Sequence, residues 1–213
     1  MPPADRPLLI GLTGGIAAGK TTVASLLQQE GLRVVQADSV AHEALRREDV
    51  CLELARRFGS GILRDGVVDR KRLGDIVFED GTARHDLNAI VHPHVLRRLD
   101  EIVAASKDKV LLIEIPLLFE SGLANRFDVT ITVEADRDKR LSALMRRDGL
   151  DRHQAKARLQ AQLDEDERIR RADRVLRNPM TPDGLADEVK SLRQWLAEMR
   201  RAGVPPLNLT HFL

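Results

Sequence analysis

The sequence predicts an α/β protein, a three-layer α/β/α sandwich on a five-stranded parallel sheet, and three observations carry the prediction. Short β-favouring runs recur along the chain, at "LLIGL", "RVVQA", "VLLIEI", "DVTITV" and "RVLR". Longer charged segments of helical period separate them, the pattern of βαβ units in which helices cover both faces of a parallel sheet. The first run passes straight into a glycine-rich turn, and in such sheets ligands bind beyond the carboxyl ends of the strands.

The first strand begins at Leu8, and the segment after the turn reads as a helix that ends near Gly31, a glycine stop. The second strand ends at Asp38, with a helix expected to start near Ser39. Two intervals, Asp38 to Lys109 and Asp136 to Asp173, are too long for simple crossovers and read as functional insertions. Within the first, Phe58, Ile62, Leu73, Val77 and Phe78 most simply form an apolar core of its own. The expected organisation is a core of residues 8–37, 109–138 and 173–202, insertions at 38–108 and 139–172, and a poorly anchored tail at 203–213, "GVPPLNLTHFL".

Composition removes several functional classes. With 34 basic and 33 acidic residues the net charge is +1, so no global field recruits nucleic acid or membrane, and any cationic site must be local. Tyrosine is absent and aromatics make up 3% of the chain, which leaves few platforms for stacking unpaired bases. The longest apolar run, "VLLIEIPLLF", is short and carries Glu114, so it is not a membrane span. The single cysteine, Cys51, cannot close an internal disulfide, and the start of the chain lacks signal-peptide character; a soluble cytoplasmic protein without an obligate protein partner is expected.

The glycine-rich turn carries the chemistry. Gly14-x-x-x-x-Gly19-Lys20-Thr21 lies between a strand and a helix, the setting a phosphate-binding loop requires. Glycines let the backbone turn its N–H groups toward phosphate oxygens, and the helix adds its positive end. Gly14, Gly15, Ile16, Ala17, Ala18, Gly19, Lys20, Thr21 and Thr22 are therefore expected to hold a nucleotide, with Lys20 at the β- and γ-phosphates and the Thr21 hydroxyl on Mg²⁺. Such a loop serves switches, motors and kinases alike. An Asn-Lys-x-Asp motif for reading guanine is absent, which disfavours a switch. A small-molecule kinase needs an acceptor site beside the loop and a basic cover that excludes water, and the two insertions are candidates for these parts.

Seven segments in order, "GLTGGIAAGKTTVA", "ADSVAHEAL", "RFGSGILRDGVVDRKRLGDIVF", "LNAIVHPHV", "IPLLFESGL", "RRDGLDRHQAKARLQAQ" and "ADRVLRN", resemble the dephospho-CoA kinase family over most of the chain. The resemblance implies a P-loop kinase fold with a helical acceptor-binding insertion and a lid, and transfer of the γ-phosphoryl of ATP to the ribose 3′-hydroxyl of dephospho-CoA. Another nucleoside or small-molecule kinase, or a regulatory nucleotide-binding protein, is the alternative.

The family pattern assigns further roles. Asp38 matches the family's base for the acceptor hydroxyl, with helix capping as the plain alternative; Gln36 stands where a second Asp is common. His42, Arg70 and His92 belong to the acceptor insertion: Arg70 pairs either with the acceptor's diphosphate or with a neighbouring acid, and His92 before Pro93 either touches substrate or is a helix-start or packing histidine. For Mg²⁺, Glu114 or Asp38 acting through water joins Thr21, against a merely capped or paired carboxylate near a strand end; Glu120 anchors its turn or a ligand. Arg147, Arg158 and Gln162 match the lid, and Asn178 matches the approach to adenine, although Pro179 and Met180 replace the usual small continuation. Where the family has a middle lid arginine this chain has Ala143, so Arg140, on the same helical face, is expected to supply that guanidinium; otherwise it is an exposed helix residue.

Overall fold

The computed structural model describes residues 6–201. Two compact units divide the chain, one spanning Gln36–Ala105 and the other the residues on either side. The elements run β1 (Leu8–Gly14), α1 (Lys20–Gln29), β2 (Arg33–Gln36), α2 (Ala37–Ala44), α3 (Glu48–Phe58), β3 (Leu63–Arg64), β4 (Val67–Val68), α4 (Arg70–Glu79) and α5 (Gly81–Ala105). After these come β5 (Val110–Glu114), β6 (Val129–Ala135), α6 (Arg137–Asp148), α7 (Arg152–Gln160), α8 (Glu165–Arg171), β7 (Arg174–Asn178) and α9 (Pro182–Arg201). The expected tail lies outside the described residues.

All five anticipated strands form, in the order β2-β5-β1-β6-β7. The central strand β1 pairs in parallel with β5 on one side and β6 on the other, and β6 pairs in parallel with β7. Chain order reverses across β1, so the turn that leaves it opens at the switch point where such sheets bind ligands. All seven residues of β6 are buried, as expected for a strand covered on both faces. Ile10, Leu12, Val23, Leu27, Leu112 and Ile131 lead the core cluster of this unit, and each such side chain contributes roughly 1.5–3 kcal/mol on burial. Among the described residues no helix is long and apolar enough to cross a membrane.

The second insertion forms α6, α7 and α8 and belongs to the same compact unit as the sheet. Its helices have local causes. Asp136, Asp151 and Asp164 each accept hydrogen bonds from first-turn N–H groups, with a reciprocal capping box between Asp151 and Gln154. Gly149, at φ 66°, turns the chain out of α6.

Within Gln36–Ala105, Val50, Cys51, Leu54, Ile62, Leu73 and Val91 make a separate apolar cluster with Phe58 and Val77 packed against it. Phe78, expected in that core, is 76% exposed: it closes α4 on the side away from Leu73 and Val77. The antiparallel hairpin β3–β4 was not anticipated, although its turn, Asp65-Gly66 with both residues at positive φ, is a strong sequence signal. His92 and Pro93 start no helix, which removes one of the alternatives for His92. They lie inside α5, which stays continuous through the proline while packed against α2, α3 and α4.

Candidate active site

The phosphate loop leaves β1 and re-enters helix at Lys20. Gly14 and Gly19 are required: at φ 147° and 95°, a Cβ would come within 2.2 Å of the Val133 carbonyl and 2.4 Å of Asn178 Nδ2. Four of the loop carbonyls accept from side chains. Lys20 Nζ donates to Gly14 O at 2.9 Å and Gly15 O at 3.0 Å. Arg140 Nε donates to Ile16 O at 3.0 Å, and Asn178 Nδ2 to Ala18 O at 2.8 Å. Because a trans peptide sets its C=O and N–H on opposite sides, holding the Ile16 and Ala18 carbonyls from behind turns the Ala17 and Gly19 N–H groups toward the concave face. The first-turn N–H groups of α1 add donors without intrahelical acceptors, so the loop is built for an anion.

Burial pulls the Lys20 ammonium down to about 8, with Glu114 pulling it up and Arg140 and Arg168 pushing it further down. Thr21 donates its hydroxyl to Glu114 Oε1 at 3.0 Å. Glu114, at the end of β5, is buried, and its second oxygen is a buried acceptor with no partner. Its first oxygen is taken by Thr21, and its charge acts on the Lys20 ammonium. An orphaned carboxylate oxygen beside a threonine hydroxyl fits a hard divalent cation completed by phosphate and water. Among the described residues no cluster of three or more His, Cys, Asp or Glu offers an all-protein cage.

A cavity of about 590 Å³ lies against the loop, lined by Ala17, Lys20, Thr21, Arg147, Asn178 and Met180 among others. Its size suits a nucleotide. Asn178 spends its amide on structure, since Oδ1 accepts from Met180 N at 2.8 Å while Nδ2 holds the loop. Asn178 nevertheless lines the cavity, so its expected place beside the nucleotide and its structural hydrogen bonds coexist.

Arg140 is also relocated. It is 4% exposed, donates to Glu165 at 3.0 Å as well as to the loop, and sits 3.7 Å from Glu134. Ala143 and Arg147 line the large cavity, whereas Arg140 lines a smaller one of about 240 Å³ behind the loop. Sharing a helical face did not bring the three to one place, because the buried Glu134 and the partly exposed Glu165 draw Arg140 inward. Arg147 pairs with both oxygens of Asp148 at 2.7 and 3.1 Å, and Arg158 donates to the same carboxylate at 2.8 Å. The hydrogen bonds from Arg147 hold the Asp148 carboxyl below its usual range. Gln162, expected on substrate, accepts from the Ile16 N–H at 2.7 Å. Glu120 accepts from Leu163 N at 3.2 Å and so anchors the segment beyond α7.

A family model described as dephospho-CoA kinase matches residues 8–183. The chain belongs to the dephospho-CoA kinase family. It is 45% identical over 197 residues to the dephospho-CoA kinase of Anaeromyxobacter dehalogenans, covering 90% of this chain and 92% of that protein. The dephospho-CoA kinase of Geobacillus kaustophilus is 41% identical over 194 residues, with 88% and 96% covered. A crystal structure from Thermus thermophilus superposes with a TM-score of 0.79 at 38% identity, covering 91% of this chain and 98% of that one.

Four residues carried over from the dephospho-CoA kinase pattern lie in the Gln36–Ala105 unit. β2 stops at Gln36, and Asp38 falls in the first turn of α2, where a carboxylate favours the helix start. The strand-end position and the cap are both corrected: residue 36 occupies the cap position, and no side chain caps this helix. Asp38 is exposed, and His42 follows one turn later on the same face, also exposed. Arg70 opens α4, exposed; the neighbouring Asp69 instead caps that helix and pairs with Arg72. His92 is exposed on α5.

Reading the sequence missed the buried ion network behind the loop. Arg168 on α8, 2% exposed, forks onto both oxygens of Glu134 on β6, 1% exposed, at 2.8 and 2.9 Å. Thr132 Oγ1 donates to Glu134 at 2.7 Å. The signal was available as an acid at an inward position of a strand with both faces covered.

Proposed function

We propose that this chain transfers the γ-phosphoryl of ATP to the ribose 3′-hydroxyl of dephospho-CoA, giving coenzyme A and ADP, the last step of coenzyme A synthesis. The observation that carries this reading is membership of the dephospho-CoA kinase family over residues 8–183. The phosphate loop and its adjoining cavity supply the chemistry the reading needs.

In the proposed reaction the 3′-oxygen attacks the γ-phosphorus, the bond to the β–γ bridging oxygen breaks, and ADP leaves with that oxygen. Asp38, matched to the family motif and exposed, orients the hydroxyl or receives its proton. Lys20 exchanges the loop carbonyls for the β- and γ-oxygens, and Arg147 offsets charge on the transferring group from the cavity wall. For His42, Arg70, His92 and Arg158 the support is the family pattern together with exposed, polar side chains. Thr21 and Glu114 are the residues proposed to hold Mg²⁺. The bound ion would neutralise developing charge on the phosphate oxygens.

Incubating the protein with Mg-ATP and a panel of hydroxyl acceptors tests the reading by mass spectrometry. Gain of one phosphoryl group on dephospho-CoA alone is expected. Transfer to a different acceptor, or stable ATP binding without transfer to any, would replace it.

A further inference from the structure

Ile16 stands at the tip of the phosphate loop, and each of its groups is held by the segment running from α6 to α8. Its N–H donates to Gln162 Oε1 at 2.7 Å, and its carbonyl accepts from Arg140 Nε at 3.0 Å. Its side chain, with that of Ala17, packs on the apolar cluster of Leu141, Leu144 and Ala155. The holders are themselves fixed. Arg140 is tied to Glu165, and Leu163, next to Gln162, donates to Glu120 at 3.2 Å and accepts from Arg168.

Peptide geometry gives these contacts a consequence. In the peptide joining Gly15 to Ile16, the carbonyl faces Lys20 and the N–H therefore faces the opposite way, toward Gln162. In the next peptide the carbonyl faces Arg140, so the Ala17 N–H is turned inward. Two side chains thus set two successive peptide planes with opposite sense. Neither plane lies in a strand or helix, because β1 has ended and α1 has not begun; the first is also held by the turn in which the Ala18 N–H donates to Gly15 O at 3.1 Å.

We infer that Gln162 and Arg140 are positioning residues that set the shape of the phosphate loop through Ile16, so that the α6–α8 segment and the loop tip act as one body. The inference deepens the proposed function, since it assigns these two residues to the loop rather than to substrate. Nucleotide affinity then depends on a side chain that touches no nucleotide.

The test uses the full chain with Gln162→Met, which keeps length and apolar volume but lacks the strong acceptor, and Gln162→Glu, which restores it. Amide hydrogen exchange by NMR and ATP binding by calorimetry, without acceptor, are the readouts. In Gln162→Met the Ile16 amide should exchange at least about tenfold faster while β6 amides are unchanged. ATP should bind about tenfold more weakly, which corresponds to about 1.4 kcal/mol. Gln162→Glu should return the Ile16 amide to its protected state. Wild-type exchange at Ile16 with wild-type ATP affinity in Gln162→Met would overturn the inference. A uniform rise in exchange across β6, α1 and Ile16 would also overturn it, since it reports only loss of stability. Neither readout involves dephospho-CoA, so a wild-type protein that fails to phosphorylate that acceptor would sink the functional reading and leave this one standing.

Discussion

Replacing Glu134 probes the support behind the phosphate loop most directly. Glu134, Arg168 and Arg140 are 1%, 2% and 4% exposed, and Glu134 is the acid that faces both guanidinium groups. Glu134→Leu removes two hydrogen bonds from Arg168, at 2.8 and 2.9 Å, and leaves a buried cation without its counter-charge. Breaking a buried pair in this way costs about 3–5 kcal/mol. For a chain of this size each kcal/mol lowers the melting temperature by about 2–4 °C, so a fall of about 6–20 °C is expected. Thermal unfolding followed by circular dichroism, with urea titration for the free energy, measures it. The double variant Glu134→Leu, Arg168→Met separates desolvation from packing: replacing a buried pair by apolar groups of similar volume is often neutral. More than half of the lost stability should return. A single variant that melts within about 2 °C of wild type, or a double variant no more stable than the single, would refute the reasoning.

Three further outcomes are expected. Lys20, at about 8 in the free protein, is cationic below that pH and neutral above it, so kcat/KM for ATP should fall as pH rises through about 8; a flat profile up to pH 9.5 would contradict the environment described. Glu114→Gln should raise the Mg²⁺ concentration for half-maximal activity about 10–100-fold, because the orphaned oxygen loses its charge; an unchanged Mg²⁺ titration would remove Glu114 from the metal site. Asp38→Asn should lower kcat at least about tenfold while KM for dephospho-CoA changes little, and a loss confined to KM would make Asp38 a binding residue.

The strands, the phosphate loop and the family were legible in the sequence because their causes are local. Short β-favouring apolar runs mark β1, β5 and β6 whatever surrounds them, and the spacing from Gly14 to Thr21 is set by a turn only glycine permits. Even the missed β3–β4 hairpin had its local mark in Asp65-Gly66. The side chains behind the loop were a different matter. Helical spacing put Arg140 on a face with Ala143 and Arg147, but only the tertiary structure set Glu134 and Glu165 where their charges draw it inward. Gln162 is 146 residues from its partner Ile16, and the termini of three helices must be in place before the two meet. Long-range polar contacts depend on where separate elements finish in space, and a short polar side chain carries no periodic record of its distant partner.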